Sequence, residues 1–202
     1  MSPPELLDLD PAIIDDSPVL QRWLEEIPDV LSDIETDPSF RPRIRLGYTQ
    51  DWSDDGGGII VGVEDIFLGR SGLTLSGDYQ TRFEPSDYQY GADLRYHFLP
   101  LGHSVNIGPV LGYRHVSRED LSVDGVNVGV RLVLVPSRTG AADLSLTQTW
   151  VRPGSDRFSV SRFTLSAGYA LTQTLRLSTD FRLETAEQEQ TTDVGLLLEW
   201  ML

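Results

Sequence analysis

The sequence predicts an all-β fold: ten antiparallel strands closed up-and-down into a barrel, preceded by a short acidic helical segment. Three observations predict it. From Arg43 to the C-terminus, apolar and polar residues alternate with a period of two in successive runs separated by clusters of Gly, Pro, Asp and Ser. The charge is divided: residues 1–40 hold eleven Asp and Glu against a single Arg22, so −10 of the formal −15 lies there. The spacing is long, since 162 residues for ten strands give about sixteen per strand and connection. Soluble all-β folds use about eight to twelve, whereas tilted strands of about nine to eleven residues cross a bilayer. Eight or twelve strands remain compatible with the same pattern.

The first element belongs to residues 1–40. Leu20, Trp23, Leu24, Ile27, Val30, Leu31 and Ile34 recur at spacings of three and four, with Glu25, Glu26, Asp29 and Asp33 on the opposite side. Ser17 caps this helix, Pro18 fits its first position, and Pro28 kinks it or starts a second piece. Its apolar stripe packs against the rest of the chain or, in a sharper reading, enters a groove on a periplasmic partner of the 18–36 helix. Adsorption to anionic lipid is disfavoured, because interfacial helices carry Lys and Arg on their polar face and this one carries carboxylates.

Residues 41–202 form the barrel. The strands are predicted at 43–52, 57–67, 72–83, 88–98, 103–115, 122–135, 141–152, 159–170, 174–185 and 191–201. One parity is apolar, as in Ile44, Leu46, Tyr48; Ile59, Val61, Val63, Phe67; Val126, Val128, Val130, Leu132; and Val194, Leu196, Leu198, Trp200. The other holds Gly47, Gly62, Gly91, Gly112, Gly129 and Gly195 together with most strand arginines and carboxylates. Alternation alone does not say which face is inside. Crowding does: a narrow barrel should turn Gly, Ser and paired charges inward and ring its outside with aromatics. The connections point the same way, with Gly69-Arg70-Ser71-Gly72 and Leu171-Thr172-Gln173 reading as compact turns, and the segments at Asp54, Glu84, Glu119 and Glu187 as more acidic, often longer loops on the opposite rim.

Composition removes other classes. A charge of −15 with no lysine and no basic run would repel phosphate backbones, which excludes nucleic acid as a main partner. No cysteine means no disulfide, thiolate metal site or thiol catalysis. The longest apolar runs fall far short of a membrane-spanning helix. His115 near Glu119 and Asp120 reads as a solvated strand end, and His97 and His103 lack further ligands, so neither catalysis, a metal nor a cofactor is expected.

The C-terminal run Asp193-Val194-Gly195-Leu196-Leu197-Leu198-Glu199-Trp200-Met201-Leu202 resembles the assembly signal of outer-membrane barrels: a polar residue, Gly two later, then hydrophobics three and five after the Gly. Asp193, Gly195, Leu198 and Trp200 occupy those places, although Met201 and Leu202 extend beyond the usual terminal aromatic. Together with the strand count, residues 41–202 resemble small Gram-negative outer-membrane barrels, including a cyanobacterial subfamily. The resemblance implies outer-membrane localisation, contact with outer-membrane lipid and recognition by the barrel-assembly machinery. Met1-Ser2-Pro3-Pro4-Glu5 shows neither a basic n-region nor an apolar h-region, so no secretory signal is visible.

If the polar parity faces the lumen, Arg43, Arg45, Glu64, Asp78, Arg82, Asp93, Arg95, Arg114, Arg131, Arg176, Asp180, Arg182, Asp193 and Glu199 form a charge network there. Simple hairpin registers place Arg182 opposite Asp193, Arg176 opposite Glu199, Arg45 opposite Glu64 and Asp78 opposite Asp93. The network either fills the interior and holds register, or lines a narrow passive-diffusion channel. The alternative is a soluble barrel with the opposite pleat, in which Tyr48, Tyr96, Phe98, Phe181 and Trp200 line an apolar cavity. A rim-located enzyme is the third class.

Overall fold

The computed structural model describes residues 40–202 except 53–55, 70, 84–85, 119–120, 138–139, 155–158 and 187–188. The helix expected at 18–36 lies outside the described residues. Ten strands follow one another: β1 Arg43–Asp51, β2 Gly57–Phe67, β3 Leu73–Arg82, β4 Tyr88–Tyr96, β5 Val105–Arg118, β6 Leu121–Leu134, β7 Ala142–Val151, β8 Val160–Ala170, β9 Leu175–Ala186 and β10 Glu189–Met201. Each pairs antiparallel with its neighbours in sequence, and β1 pairs with β10, so the sheet closes and no edge remains. Arg43 faces Met201 across that seam, which places the start of β1 and the end of β10 on one rim, here the terminal rim.

Alternation decides the two faces. Leu46, Tyr48, Leu111, Val126, Tyr169, Leu196 and Trp200 are each about half exposed on the outside. Their strand neighbours Arg114, Asn127, Arg131, Arg176, Asp180 and Glu199 are buried inside. Tyr48, Tyr96, Phe98, Phe181 and Trp200 all lie on the exterior, so no apolar cavity is built from them. The exterior aromatics fall in two belts by strand position. Tyr96, Phe98, Tyr169 and Trp200 lie toward the terminal rim, and Tyr48, Trp52, Phe83, Tyr88, Tyr90, Tyr113 and Trp150 toward the distal rim.

Four expectations need correction. The hairpin of β1 and β2 is shifted in register, its pairs falling two residues lower in summed position, so Glu64 faces Arg43 and Arg45 faces Gly62. The hairpin of β3 and β4 slips likewise, setting Asp78 against Gly91 and Asp93 against Ser76. Both slips come from turns of unchanged length centred one residue earlier, with closing pairs Asp51 N–H to Gly56 O and Arg82 N–H to Asp87 O in place of 52 with 57 and 83 with 88.

The third correction is a β-bulge between Val63 and Ile66, where Asp65 takes a left-handed φ of 56°. Beyond it the parity reverses: Ile66 points out, and Phe67 packs inside with Phe40, Val133, Val135 and Leu101 as an apolar plug at the terminal rim. The fourth concerns the connections. β5 pairs β6 as far as Arg118 with Leu121, and β9 pairs β10 as far as Ala186 with Glu189, which leaves only residues 119–120 and 187–188 between strands. Terminal-rim connections such as 97–104 and 135–141 are longer than these, so the rims do not divide into short turns and long loops.

Candidate functional site in the barrel lumen

The lumen is built by strand residues whose alternation turns charge inward. Near the terminal rim, Glu64 at the end of β2 is shared by four arginines from three strands, β1, β4 and β6. Arg95 and Arg131 each reach Oε1 at 2.6 Å, while Arg43 and Arg45 reach Oε2 at 3.0 and 3.3 Å. Sequence alternation puts only one residue of Glu64-Asp65 inside; the bulge turns both inward. Asp65 lies 3.4 Å from both Arg43 and Arg95, and its N–H donates to Ser76 Oγ at 3.0 Å.

On β10, the other neighbour of β1, Glu199 plays the matching part. It accepts from Arg45 Nε and Arg176 Nη1, both at 2.8 Å, and from Ser178 Oγ at 2.6 Å. Arg176 continues to Asp143 at 2.6 Å, and Arg45 to Asp180 at 2.9 Å. Gly168 makes room for this arrangement, because a Cβ there would run into the Arg176 guanidinium.

Toward the distal rim the pairs are more discrete. Arg114 grips Asp78 with both terminal nitrogens, at 2.6 and 2.9 Å, lying over Gly91, whose missing Cβ would sit 2.8 Å from its Cζ. Asp93 accepts from Asn127 at 2.7 Å and lies 3.4 Å from Arg114. Glu184, fully buried, bridges Arg118 and Arg162. Arg82 joins Asp51 at 2.7 Å and both Asp87 and Asp193 at 3.2 Å. Arg182 donates to Gln80, which also accepts from Gln89 at 3.0 Å.

All fourteen residues singled out from the sequence therefore project inside. Two hairpin pairs have the anticipated register, Arg182 with Asp193 and Arg176 with Glu199, but only the second closes as an ion pair. Asp193 turns to Arg82 and Arg182 turns away to Gln80, since side chains inside a closed barrel choose across the lumen as well as along the ladder. Sequence reasoning missed Asp65, Arg118, Asp143, Arg162 and Glu184. Parity was the available signal for the last four, as Arg162 and Glu184 share a face with Gly168 and Arg182; Asp65 had none, because nothing in the alternation announces the bulge.

Between the two layers the side chains leave a cavity of about 70 Å³. The plug shuts the terminal side, with His97 edge-on to Phe40 at 6.1 Å and against Phe67 at 6.3 Å. His115 lies outside the barrel, stacked on Tyr90 at 5.1 Å, and His103 is exposed. Among the described residues no group of three metal-ligating side chains converges.

No protein-family model matches the chain, and no curated protein does. Solved structures do resemble it. The KdgM porin aligns over 79% of this chain and 99% of its own, at 10% identity and a TM-score of 0.46. Omp33 of Acinetobacter baumannii aligns over 81% and 98%, at 11% identity and 0.39. Outer membrane phospholipase A of Escherichia coli aligns over 78% and 89%, at 15% identity and 0.40.

Proposed function

We propose that this chain is an outer-membrane β-barrel of the narrow-channel type, closed to solutes at rest and passing at most water and small ions. The observation that carries the reading is the sense of the pleat: a closed barrel with an apolar outside and a lumen filled by arginine–carboxylate pairs. Strands of about ten residues, rising roughly 3.3 Å each and tilted about 40°, span on the order of 25 Å, the height of an outer-membrane apolar band. The two exterior belts suit the membrane interfaces, where Trp and Tyr concentrate. A soluble barrel would have to expose Leu46, Leu111, Val126 and Leu196 to water as one continuous band, far beyond the patches monomers tolerate. With both barrel ends on the terminal rim, that rim is periplasmic, the assembly signal at Asp193, Gly195, Leu198 and Trp200 engages the barrel-assembly machinery, and the acidic segment reaches a periplasmic partner.

Transport of large solutes does not suit a lumen in which the described ionic side chains leave about 70 Å³. The test is refolding from urea into detergent micelles and into plain buffer in parallel. A β spectrum with a heat-dependent gel shift in detergent alone, and conductance far below that of wide porins in planar bilayers, is the expected result. A monodisperse β protein in plain buffer would overturn the membrane reading, and a large ohmic conductance would overturn the closed lumen.

A further inference from the structure

The central cavity is lined by six arginines, Arg45, Arg95, Arg114, Arg131, Arg162 and Arg182, against four carboxylates, Glu64, Asp78, Asp93 and Asp180, so its wall carries an excess of two positive charges. Arg162 feels the like charges of both Arg114 and Arg182, offset in part by Glu184, with which it pairs, and by Asp78. All three are more than nine-tenths buried, and the Nε of each has no hydrogen-bond acceptor. Arg182 differs further: among the described residues it is the inward arginine with no carboxylate within 4 Å, its head group held by the neutral Gln80.

The cavity carboxylates are already engaged. Glu64 holds four arginines, Asp78 holds Arg114, Asp93 holds Asn127, and Asp180 holds Arg45. Water could accept from the free Nε groups, but it would leave like charges facing each other in a medium of low dielectric, which is costly. An anion satisfies the donors and offsets the charge together. The size of the void sets an upper limit. One water needs roughly 10–15 Å³ of such space, so about 70 Å³ admits a bare halide with a few waters and no organic acid of any length.

We infer that the lumen holds a binding site for one small monovalent inorganic anion of the halide class, between Arg114, Arg162 and Arg182. The site belongs to the lumen and does not depend on what surrounds the barrel, so it can be tested in detergent or, if the chain proves soluble, in plain buffer. The full chain is titrated with sodium bromide against sodium gluconate at fixed ionic strength while its unfolding midpoint is followed, and crystals grown in bromide are examined for anomalous scattering.

Stabilisation that saturates with bromide and not with gluconate, with an anomalous peak among the three guanidinium groups, is the expected result. Arg182→Gln leaves Asp193 its ion pair with Arg82 and should abolish the peak and flatten the titration while the β spectrum persists; Arg182→Lys, which keeps the charge but loses Nε, should weaken binding severalfold. Water alone in the cavity, or coincident bromide and gluconate curves, would overturn the inference. So would an Arg182→Gln chain that still saturates.

Discussion

Glu64 is one carboxylate between four guanidinium groups, and its removal should be felt by all of them. Breaking a buried pair by deleting one partner typically costs about 3–5 kcal/mol, because the charge left behind is buried without compensation. Glu64→Gln should therefore lower barrel stability by about that amount in urea titrations, whereas Arg118→Gln, at the end of a strand, should cost less; equal losses would mean that the cluster around Glu64 near the terminal rim is not a shared hub. Close approach is the other residue-scale constraint. A Cβ on Gly47 would stand 2.5 Å from Leu196 O and 2.7 Å from Leu197 Cγ, so Gly47→Val should unseat the β1–β10 closure and reduce the yield of folded barrel. At this scale the inward residues were legible because they share parity with glycine. Their partners were less so: nothing in one strand tells Arg182 to prefer Gln80 across the lumen over Asp193 beside it.

Elements obey the alternation closely, and all ten strands begin and end within three residues of the positions the sequence predicts. What alternation cannot supply is the extra residue of a bulge. Asp65 shifts β2 by one position, adds a second carboxylate to the lumen and turns Phe67 into the plug. Deleting Asp65 should remove the bulge and its second inward carboxylate while Phe67 keeps its inward place opposite Thr74, and should destabilise the terminal rim, read as faster amide exchange in β2 and β3; unchanged exchange there would contradict the role given to the bulge. Phe40→Ala, which empties the centre of the plug, should cost about 3–5 kcal/mol. The plug also confers a pH response. Burial holds the His97 imidazole below its ordinary value, against a smaller pull from Asp65. The unfolded chain then binds this proton more readily than the folded one, so the stability is fully present above about pH 6.5 and is lost as the pH falls through the depressed value. His97→Phe should flatten the fall in unfolding midpoint below pH 6.5, and an unchanged slope would assign that fall to other groups.

The whole molecule combines a lumen whose described charges largely cancel with an exterior that has almost none, and each explains the other. A closed sheet has two faces, and the period of two commits every strand to the same choice at once. Which face lies inside was legible from glycine crowding and from the aromatics, because only a narrow interior needs the missing Cβ of Gly91 and Gly168 beside an arginine. The supposed division of the rims into short turns and long loops was not a sound guide, since Glu119, Asp120 and Glu187 fall where paired strands run to within two residues of each other, at Arg118 with Leu121 and Ala186 with Glu189. The central claim is that lipid meets the apolar face. It is tested most directly by refolding a W23F chain into vesicles of lipids brominated at defined chain depths and reading the fluorescence of Trp52, Trp150 and Trp200. Shallow bromines should quench all three strongly and mid-chain bromines more weakly, placing the two belts at the two interfaces. Fluorescence indifferent to bromine at every depth, from a chain that stays folded in plain buffer, would contradict the membrane barrel.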